Sequence, residues 1–500
     1  MADWSRIEAL PDSKLMDLFD QDPGRLSRLS LDVGGLHFDW SKTHLTADAL
    51  AAFAALAEET GLAARRDALF GGAHVNVTED RPVLHTAERG EGEVGAVDTA
   101  RRFHTRMRQL IDAIEGGALG EVRHILHVGI GGSALGPDLI VDALGRPEGG
   151  GEKRYDVAIV SNVDGVALED AFARFDPHAT LLVIASKTFT TTETMLNATS
   201  ALQWMTEHDV ADPYGRVVAL TASPDKAVEW GVDETRVLPF DAGVGGRYSL
   251  WSSIGFPAAL ALGWGAFEEL LEGAAEMDRH FRLSPLEQNA PALAAFADLY
   301  YTQVRGAETR APFAYDQRLK LLPSYLQQLE MESNGKSTTV DGRPVGRPTA
   351  AITWGGVGTD AQHAVFQLLH QGTHLVPVEF VAVIEPGDTL AEEHHRQLLL
   401  NAFAQGAALM KGKQVDDPAR SYAGDRPSST ILIDDLTPRT LGALIAFYEH
   451  RVFVNGTLLG INSFDQFGVE LGKEMAKAAG QGDGDFDPST TDLIRRAGLS

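Results

Sequence analysis

The sequence predicts an α/β protein that carries two mainly parallel sheets in tandem, each flanked by helices. Its 500 residues exceed the usual size of one domain, which is about 100 to 200 residues. Two series of short apolar runs, at residues 124–239 and 311–433, alternate with segments long enough to be helices. Short apolar runs separated by helices are typical of buried parallel strands joined by crossovers. Helical extensions are predicted before the first series and after the second.

Residues 1–100 are predicted to form the helical N-terminal extension. Thr46 is a suitable N-cap for an alanine- and leucine-rich run that continues to Leu62. Asp98 precedes a further predicted helix over Arg101–Ile114. No candidate for chemistry stands out in this region.

The first α/β domain is predicted over residues 101–285 and the second over residues 286–460. The strands predicted for the first sheet are His124–Val128, Tyr155–Val160, Leu181–Ala185, Arg216–Leu220 and Arg236–Pro239. Those predicted for the second are Ala311–Tyr315, Ala350–Trp354, Leu375–Val383 and Ser429–Ile433, with helices near Lys320–Glu330, His363–His370 and Glu392–Met410. The boundary is placed between Pro285 and Pro291, inside the helical stretch Ala266–Gln303. Residues 461–500 are predicted to form a C-terminal helical segment with a last short helix.

Composition excludes several classes of function. The formal net charge of −27 repels polyanions, so neither nucleic acid nor an anionic membrane is expected as a partner. Without cysteine there can be no disulfide framework, thiolate zinc site, cysteine nucleophile or iron–sulfur cluster. The longest weakly polar stretch, Ile254–Phe267, is shorter than the roughly 20 residues of a membrane helix and contains Pro257. We therefore expect a cytoplasmic protein.

A glycine-rich segment, Gly129–Ala134, follows a predicted strand and precedes Pro137, which is acceptable in the first turn of a helix. Glycines allow the N–H groups that open a helix to approach a phosphate. The segment also fits the dinucleotide pattern, but the acidic residue expected about 20 positions later is missing, and Asp164 is the nearest candidate. A phosphate loop, a dinucleotide loop and a structural turn are all compatible with it.

A second candidate for phosphate binding is Ser186–Glu193, which follows the predicted strand Leu181–Ala185. Thr190 and Glu193 have the spacing of a capping box, which is a purely structural explanation. The other hydroxyls and Lys187 exceed what a cap requires, so the segment also suits a phosphate.

Two charged residues are candidates for catalysis. Arg247 follows two glycines and could stabilise developing negative charge, although a lone arginine is more often in a surface ion pair. Glu332 is followed by turn residues and could act as a general base. The ending Gly335-Lys336-Ser337 resembles a nucleotide P-loop, but that motif requires glycine where Glu330 stands, so this interpretation is rejected.

Three histidines, His363, His370 and His374, are close in sequence, but their spacing does not fit a helical metal site. Gln466 and Lys473 are seven positions apart, so on one helix they would share a face.

Together these segments resemble the glucose-6-phosphate isomerase (phosphoglucose isomerase) family. The matching motifs are Gly129–Ser133, Ser186–Thr191, Gly245–Ser249, Met331–Lys336, Gln362-His363 and the segment from Asp465-Gln466 to Lys473. Four positions depart from the family pattern without falling on a proposed catalytic residue: Ala134, Gly356-Val357, Asp360-Ala361 and Phe467.

The resemblance implies two sugar-isomerase (SIS) domains, usually in a homodimer, and reversible conversion of glucose 6-phosphate to fructose 6-phosphate through an enediolate, in glycolysis and gluconeogenesis. It implies neither a cofactor nor a metal. The residues implied to hold the substrate are Gly132, Ser133, Ser186, Lys187, Thr188, Thr191, Gln328 and Gln466. The implied catalytic residues are Glu332 as the base, Arg247 for the charged intermediate, and His363 and Lys473 for ring opening, with His363 supplied by the partner subunit.

Other classes of protein remain as alternatives. A sugar-phosphate sensor would keep the phosphate segments but would not need Glu332, Arg247 and Lys473 together. A nicotinamide-dependent dehydrogenase would need the ribose-binding acid that is missing. An aminosugar synthase with the same domain would need an amidotransferase cysteine, which is absent.

Overall fold

A computed structural model describes residues 3–146, 154–482 and 484–499. The predicted α/β class is confirmed, with two mainly parallel sheets flanked by helices. Both sheets lie in a unit that ends at Ser463, and a second unit begins at Phe464. The division into four domains made from the sequence stays a prediction.

The bounds of the elements are as follows. The strands are β1 (Ser30–Val33), β2 (Leu36–Asp39), β3 (His124–Gly129), β4 (Asp156–Val160), β5 (Thr180–Ala185), β6 (Val217–Thr221), β7 (Val237–Pro239), β8 (Thr309–Tyr315), β9 (Ile352–Thr353), β10 (Gly356–Val357), β11 (Val378–Val383) and β12 (Ser428–Ile433). The α-helices are Ser5–Glu8, Leu15–Gln21, Arg25–Arg28, Ala47–Glu59, Leu62–Phe70, His85–Glu88, Val94–Glu115, Leu135–Leu144, Gly165–Phe172, Thr192–Glu207, Pro224–Trp230, Phe256–Leu262, Trp264–Leu283, Ala290–Gln303, Leu322–Gln327, Asp360–Gln371, Glu392–Lys411, Pro438–Leu459, Glu470–Gln481 and Pro488–Arg496.

The first sheet has the strand order β4-β3-β5-β6-β7, and all its strands are parallel. All five predicted strands are confirmed. Every residue of β5 and of β6 is buried, which explains why their apolar runs were continuous in the sequence. After β3 the chain continues to β4, on one side of β3 in the sheet. After β5 it continues to β6, in the opposite direction across the sheet. A crevice at the carboxyl ends of the strands is expected at such a switch point, between β3 and β5.

The second sheet has the order β1-β2-β12-β11-β8-β10, and β9 also pairs with β8. Strands β8 to β12 pair in parallel, whereas β1 and β2 form an antiparallel hairpin at the edge. Residues 1–100 were predicted to be mostly helical, and this hairpin within them was not predicted. Leu36 and Phe38 alternate with half-buried residues along β2, and Gly34 and Gly35 supply the two positive φ angles of the tight turn.

Two predicted helix starts have different outcomes. The cap at Thr46 is confirmed, because its hydroxyl accepts a hydrogen bond from the Ala49 N–H at 3.1 Å. The start predicted at Arg101 is wrong. That helix begins at Val94, where the Glu93 carboxylate accepts from the Ala96 N–H at 2.8 Å.

The predicted helical stretch 266–303 is interrupted near Pro285, as the sequence indicated, and forms the helices Trp264–Leu283 and Ala290–Gln303. Both pack against Pro438–Leu459, a helix that is buried along nearly its whole length. This buried helix leads directly to Ser463, whose carbonyl contributes to the site described below.

Candidate active site

The two predicted phosphate segments lie next to each other in the structure. Strands β3 and β5 are parallel neighbours, and their last residues, Gly129 and Ala185, are directly paired. The loops that follow them therefore leave the same edge of the sheet. This edge is the switch point at which an α/β sheet ordinarily binds its ligand.

The glycine loop after β3 is packed against the turn that carries Arg247. A Cβ atom added to Gly132 would lie 2.1 Å from the carbonyl carbon of Gly246, so only glycine fits there. The neighbouring Gly131 has a φ of +57°, and a Cβ on it would lie 2.9 Å from the Gln328 amide nitrogen. The glycine loop therefore lies close against the backbone of Gly246 and Arg247 and against the side chain of Gln328.

The main chain of Ser133 is held by a hydrogen bond from a buried histidine. The Nε2–H of His127 donates to the Ser133 carbonyl oxygen at 2.7 Å. Burial lowers the pKa of His127 to about 4, so the ring is neutral at ordinary pH.

The segment after β5 presents a cluster of hydroxyls. The Ser186 and Thr191 hydroxyl oxygens are 3.1 Å apart, and those of Thr188 and Thr190 are 2.8 Å apart. The helix begins at Thr192 with Thr191 as its N-cap, and no side chain caps it. The predicted capping box of Thr190 and Glu193 is therefore wrong. The hydroxyls instead surround the start of a long helix, where N–H groups can bind a phosphate.

The Lys187 ammonium points towards main-chain carbonyls. Its Nζ donates to the carbonyl oxygens of Ala242 at 2.6 Å and Val244 at 3.0 Å. Burial, reinforced by the charge of Arg81, lowers the pKa of Lys187 to about 8. The side chain thus ties the hydroxyl segment to the loop that precedes Arg247.

Glu332 and Arg247 form an ion pair at the centre of the site. Glu332 ends a π-helical turn, Gln328–Glu332, and its Oε1 accepts from Arg247 Nη1 at 2.7 Å. Its other oxygen accepts from the Gln328 amide at 2.8 Å. The Glu332 side chain is 24% exposed and that of Arg247 only 1%. The carboxylate is therefore reachable by a ligand, while the guanidinium is enclosed by protein.

Two further groups hold the Arg247 guanidinium, and sequence reasoning assigned neither of them. Its Nε donates to the Ser333 hydroxyl at 2.5 Å, and its Nη2 donates to the Ser463 carbonyl oxygen at 2.6 Å. The buried Tyr248 hydroxyl lies 3.0 Å from the Ser333 hydroxyl, and burial raises the pKa of Tyr248 to about 12. Ser333 belongs to the motif Met331–Lys336, but a contact through the main-chain carbonyl of Ser463 leaves no signal in the sequence.

His363 is not joined to this group by a hydrogen bond. It lies on the helix Asp360–Gln371 with its side chain exposed, and it forms no side-chain hydrogen bond or ion pair with the described residues. His370 faces Gln405, with 2.9 Å between its Nε2 and the amide oxygen. Within the described residues, no three or more His, Cys, Asp or Glu lie close enough to hold a metal ion.

Gln466 and Lys473 belong to the second unit. Gln466 precedes a short 3₁₀ turn, and the α-helix that carries the exposed Lys473 begins only at Glu470. The two residues therefore do not lie on one helix, which was the condition for them to share a face. Of the helices that the structure describes, none combines the length and apolar character needed to cross a membrane.

Comparison with known proteins gives consistent matches over nearly the whole chain. The family described as phosphoglucose isomerase matches residues 39–494. A glucose-6-phosphate isomerase of Rhizorhabdus wittichii is 69% identical over 497 residues, which cover 99% of each chain. One of Zymomonas mobilis is 63% identical and is matched over 97% of its length.

A solved structure gives the same result for the fold. The crystal structure of a glucose-6-phosphate isomerase from Chlamydia trachomatis superposes with a TM-score of 0.88 at 31% identity, over 97% of this chain and 96% of the other. The family match, the identity to these relatives and the shared fold agree, and the chain belongs to the phosphoglucose isomerase family.

Proposed function

We propose that this protein interconverts glucose 6-phosphate and fructose 6-phosphate as an aldose–ketose isomerase of glycolysis and gluconeogenesis. The observation that carries the proposal is the 2.7 Å contact between Arg247 and the accessible carboxylate of Glu332, beside the glycine loop. Family membership supports the same reaction. The chemistry requires a base and a counter-charge but no redox cofactor.

The phosphate of the sugar binds across the carboxyl ends of β3 and β5. We assign its recognition to the glycine loop and the hydroxyl segment, through Gly132, Ser133, Ser186, Thr188 and Thr191. Hydroxyls and N–H groups at a helix start attract a phosphate locally, which the chain's net charge of −27 makes necessary. Lys187 completes the set by fixing the hydroxyl segment to the loop before Arg247.

Glu332 acts as the base that moves a proton between C1 and C2 of the open-chain sugar. It removes the proton from the carbon next to the carbonyl, and the resulting enediolate carries negative charge on oxygen. Arg247 stabilises that charge, since its guanidinium is already oriented by Ser333 and Ser463 and needs no rearrangement. The same carboxylic acid then returns the proton to the neighbouring carbon, and the hydroxyl proton moves from one oxygen to the other to complete the interconversion. Gln328 holds the second oxygen of Glu332 and lines the pocket.

The family resemblance assigns ring opening to His363 and Lys473 and substrate binding to Gln466, and we retain these roles in the proposal. We propose that His363 serves the active site of a partner subunit in a homodimer. Its exposed imidazole has no hydrogen-bond partner among the described residues of its own chain, which fits that role. On the helix Glu392–Lys411, Leu400 and Phe403 are 46% and 44% exposed and could be covered by the second copy.

A cytoplasmic location is part of the proposal. The sequence contains no cysteine. This is compatible with a reducing compartment such as the cytoplasm, where disulfides are rare.

The reaction is tested with fructose 6-phosphate in deuterated water, using chelator-treated protein without added cofactor. NMR should show glucose 6-phosphate with deuterium at C2, because the proton carried by Glu332 exchanges with solvent. Saturable binding without turnover would instead indicate a sugar-phosphate sensor. Turnover without any label at C2 would contradict a solvent-exchanging base.

The shared site is tested by mixing two inactive variants. One variant carries Glu332→Gln and keeps His363, and the other carries His363→Ala and keeps Glu332. When the two are refolded together, each mixed dimer has one site with an intact Glu332 and an intact histidine from the partner. Recovery of about a quarter of wild-type activity is expected, because half of the dimers are mixed and each has one complete site. No recovery, or a fully active monomer by light scattering, would contradict the assignment of His363.

A further inference from the structure

A cavity of about 380 Å³ lies away from the proposed catalytic residues, none of which lines it. Its walls come from the hairpin that follows Ser337 and from the end of the helix Pro438–Leu459. Arg65, on the helix Leu62–Phe70, completes the lining together with Trp4. The volume falls within the range of about 300 to 1,000 Å³ that is usual for small-molecule sites.

The charged side chains that line this cavity are mainly arginines. They are Arg65, Arg343 and Arg347, against the single carboxylate of Asp341. The chain as a whole carries a charge of −27, so a local excess of positive charge is unusual for it. A field of this kind attracts anions to the cavity while the rest of the surface repels them.

The three arginines differ in how far their charge is already satisfied. Arg343 pairs with Asp341 at 2.5 Å. Arg347 has Glu8 at 3.5 Å and bonds the Gln303 amide oxygen at 3.1 Å, with its guanidinium 4.3 Å from the centre of the Trp4 ring. Stacking on Trp4 holds this guanidinium in one orientation, with hydrogen-bonding capacity left over.

Arg65 has no such partner. Arg65 is half-buried, and its guanidinium forms no hydrogen bond or ion pair with the part of the chain that the structure describes. Guanidinium groups bind phosphate oxygens through two parallel hydrogen bonds, so an unsatisfied one that faces a cavity favours a phosphate.

The cavity is preformed by main-chain hydrogen bonds. The Thr339 N–H donates to the Arg343 carbonyl oxygen at 2.8 Å and closes the hairpin. The Val340 N–H donates to the Gly460 carbonyl oxygen at 2.9 Å and joins the hairpin to the end of the buried helix. A ligand would therefore not have to order this wall of the cavity.

We propose that this cavity is a second anion site, which binds a small molecule with two phosphate groups while sugar phosphate occupies the catalytic crevice. Arg65 and Arg347 bind the two phosphates, and Arg343 shares its charge between the ligand and Asp341. The site goes beyond the proposed isomerase reaction, since no step of that reaction uses it.

The experiment is a calorimetric titration of inorganic pyrophosphate into protein that is already at equilibrium with saturating glucose 6-phosphate and fructose 6-phosphate. We expect saturable binding of one pyrophosphate per chain. Arg65→Gln should weaken it at least tenfold without changing kcat or KM. Arg396→Gln, which removes the same charge from an exposed ion pair with Glu393, is the matched control and should bind like the wild type. Thermal melts by circular dichroism check that both variants are folded.

A second titration with ADP separates the possible sources of the two phosphates. Equal affinity assigns the site to the diphosphate group alone, and tighter binding of ADP assigns it to an organic diphosphate; both results support the site. The proposal is overturned if no binding is seen, if sugar phosphate abolishes it, or if Arg65→Gln and Arg396→Gln weaken it equally. A titration of sugar phosphate alone tests the catalytic crevice, so failure of the proposed function is recognised separately.

Discussion

Glu330 and Glu332 lie on the same π-helical turn, yet their surroundings differ completely. Glu330 is bound by Arg310 through both oxygens and accepts a further hydrogen bond from the Thr353 hydroxyl at 2.7 Å. Its side chain is 10% exposed, against 24% for Glu332. Glu332 receives one arginine nitrogen and one amide, and one side of it is open. Chemistry is available only to the carboxylate whose partners leave room for a ligand.

The two arginines show the same difference. Arg310 bonds Glu330 and also lies 3.6 Å from Asp298 and 4.0 Å from Glu379, so carboxylates neutralise it fully. Arg247 bonds the carboxylate of Glu332, which is partly exposed, as well as the Ser333 hydroxyl and the Ser463 carbonyl oxygen. An arginine that pairs with an accessible carboxylate can stabilise the charge of an intermediate there, whereas one enclosed among buried carboxylates stabilises the fold.

The largest expected effect is on turnover, from replacing the open carboxylate. Glu332→Gln should lower kcat by a factor of about 10² to 10⁴, which is the usual contribution of a positioned acid–base group. Phosphate-ligand binding should stay close to wild type. Steady-state kinetics and calorimetry measure the two quantities. Glu330→Gln is the matched control, and its folded fraction should keep most of its turnover; if it lost as much as Glu332→Gln, the distinction between the two carboxylates would be refuted.

Breaking the buried ion pair of Arg310 and Glu330 should lower stability rather than turnover. Arg310→Met leaves Glu330 buried without its cation, although Arg451 still pairs with Asp298 and Glu379, and the loss costs about 3 to 5 kcal/mol of the free energy of unfolding. Urea denaturation at pH 7 measures this value. Arg247→Met should cost clearly less stability and lose turnover. Equal losses of stability in the two variants would show that Arg247 has the same structural role as Arg310.

Smaller losses are expected when the hydroxyls that bond the two arginine–glutamate pairs are removed. Ser333→Ala removes the acceptor of Arg247 Nε, and we expect kcat/KM to fall about tenfold, as for a hydrogen bond to a charged group. Thr353→Ala removes the corresponding contact of Glu330 and should lower stability by about 1 kcal/mol while kcat/KM stays unchanged. Measuring both quantities for both variants tests the comparison. A turnover loss in Thr353→Ala would weaken it.

The smallest effect concerns a buried cation that faces carbonyls rather than carboxylates. The pKa of Lys187 is about 8 in the folded protein and near 10.5 when unfolded. Below pH 8 both states are protonated. Above it the folded protein releases the proton first, so the free energy of unfolding should rise by about 1 kcal/mol between pH 8 and 9. Denaturation of wild type and Lys187→Met across this range isolates the contribution of Lys187 to the free energy of unfolding. If the difference between the two proteins stayed constant or fell from pH 8 to 9, the lowered pKa would be contradicted.

The wholly buried parts of the fold were the most predictable. The strands of the first sheet are apolar along their length because both faces of the sheet are covered, so each was visible in the sequence. The hairpin of β1 and β2 was missed because β1 is only partly buried and polar, and its single clear signal was Gly34-Gly35. Edge strands have one solvated side and depend on the neighbouring strand for their definition.

Residue types in the candidate site were predictable, but their pairing was not. The sequence indicated Arg247 and Glu332 as charged groups near glycines, yet their contact depends on packing between the glycine loop and the π-helical turn. The choice of Glu332 over Glu330 came from the family resemblance, because the difference in exposure between the two carboxylates cannot be read from the residues themselves. The carbonyl of Ser463 could come from any residue type, and the direction of the Lys187 ammonium follows from the position of carbonyls that are distant in sequence.

The close approach of Gly132 to Gly246 has an unequal consequence for mutational tolerance. A methyl group at position 132 would collide with the opposing backbone, whereas one at position 246 would meet no heavy atom of the described residues within 4 Å. Libraries built on this scaffold should therefore retain glycine at 132 almost without exception and accept alanine at 246. Of two glycines in contact, one is fixed by sterics, and the other is free to vary wherever the ligand permits.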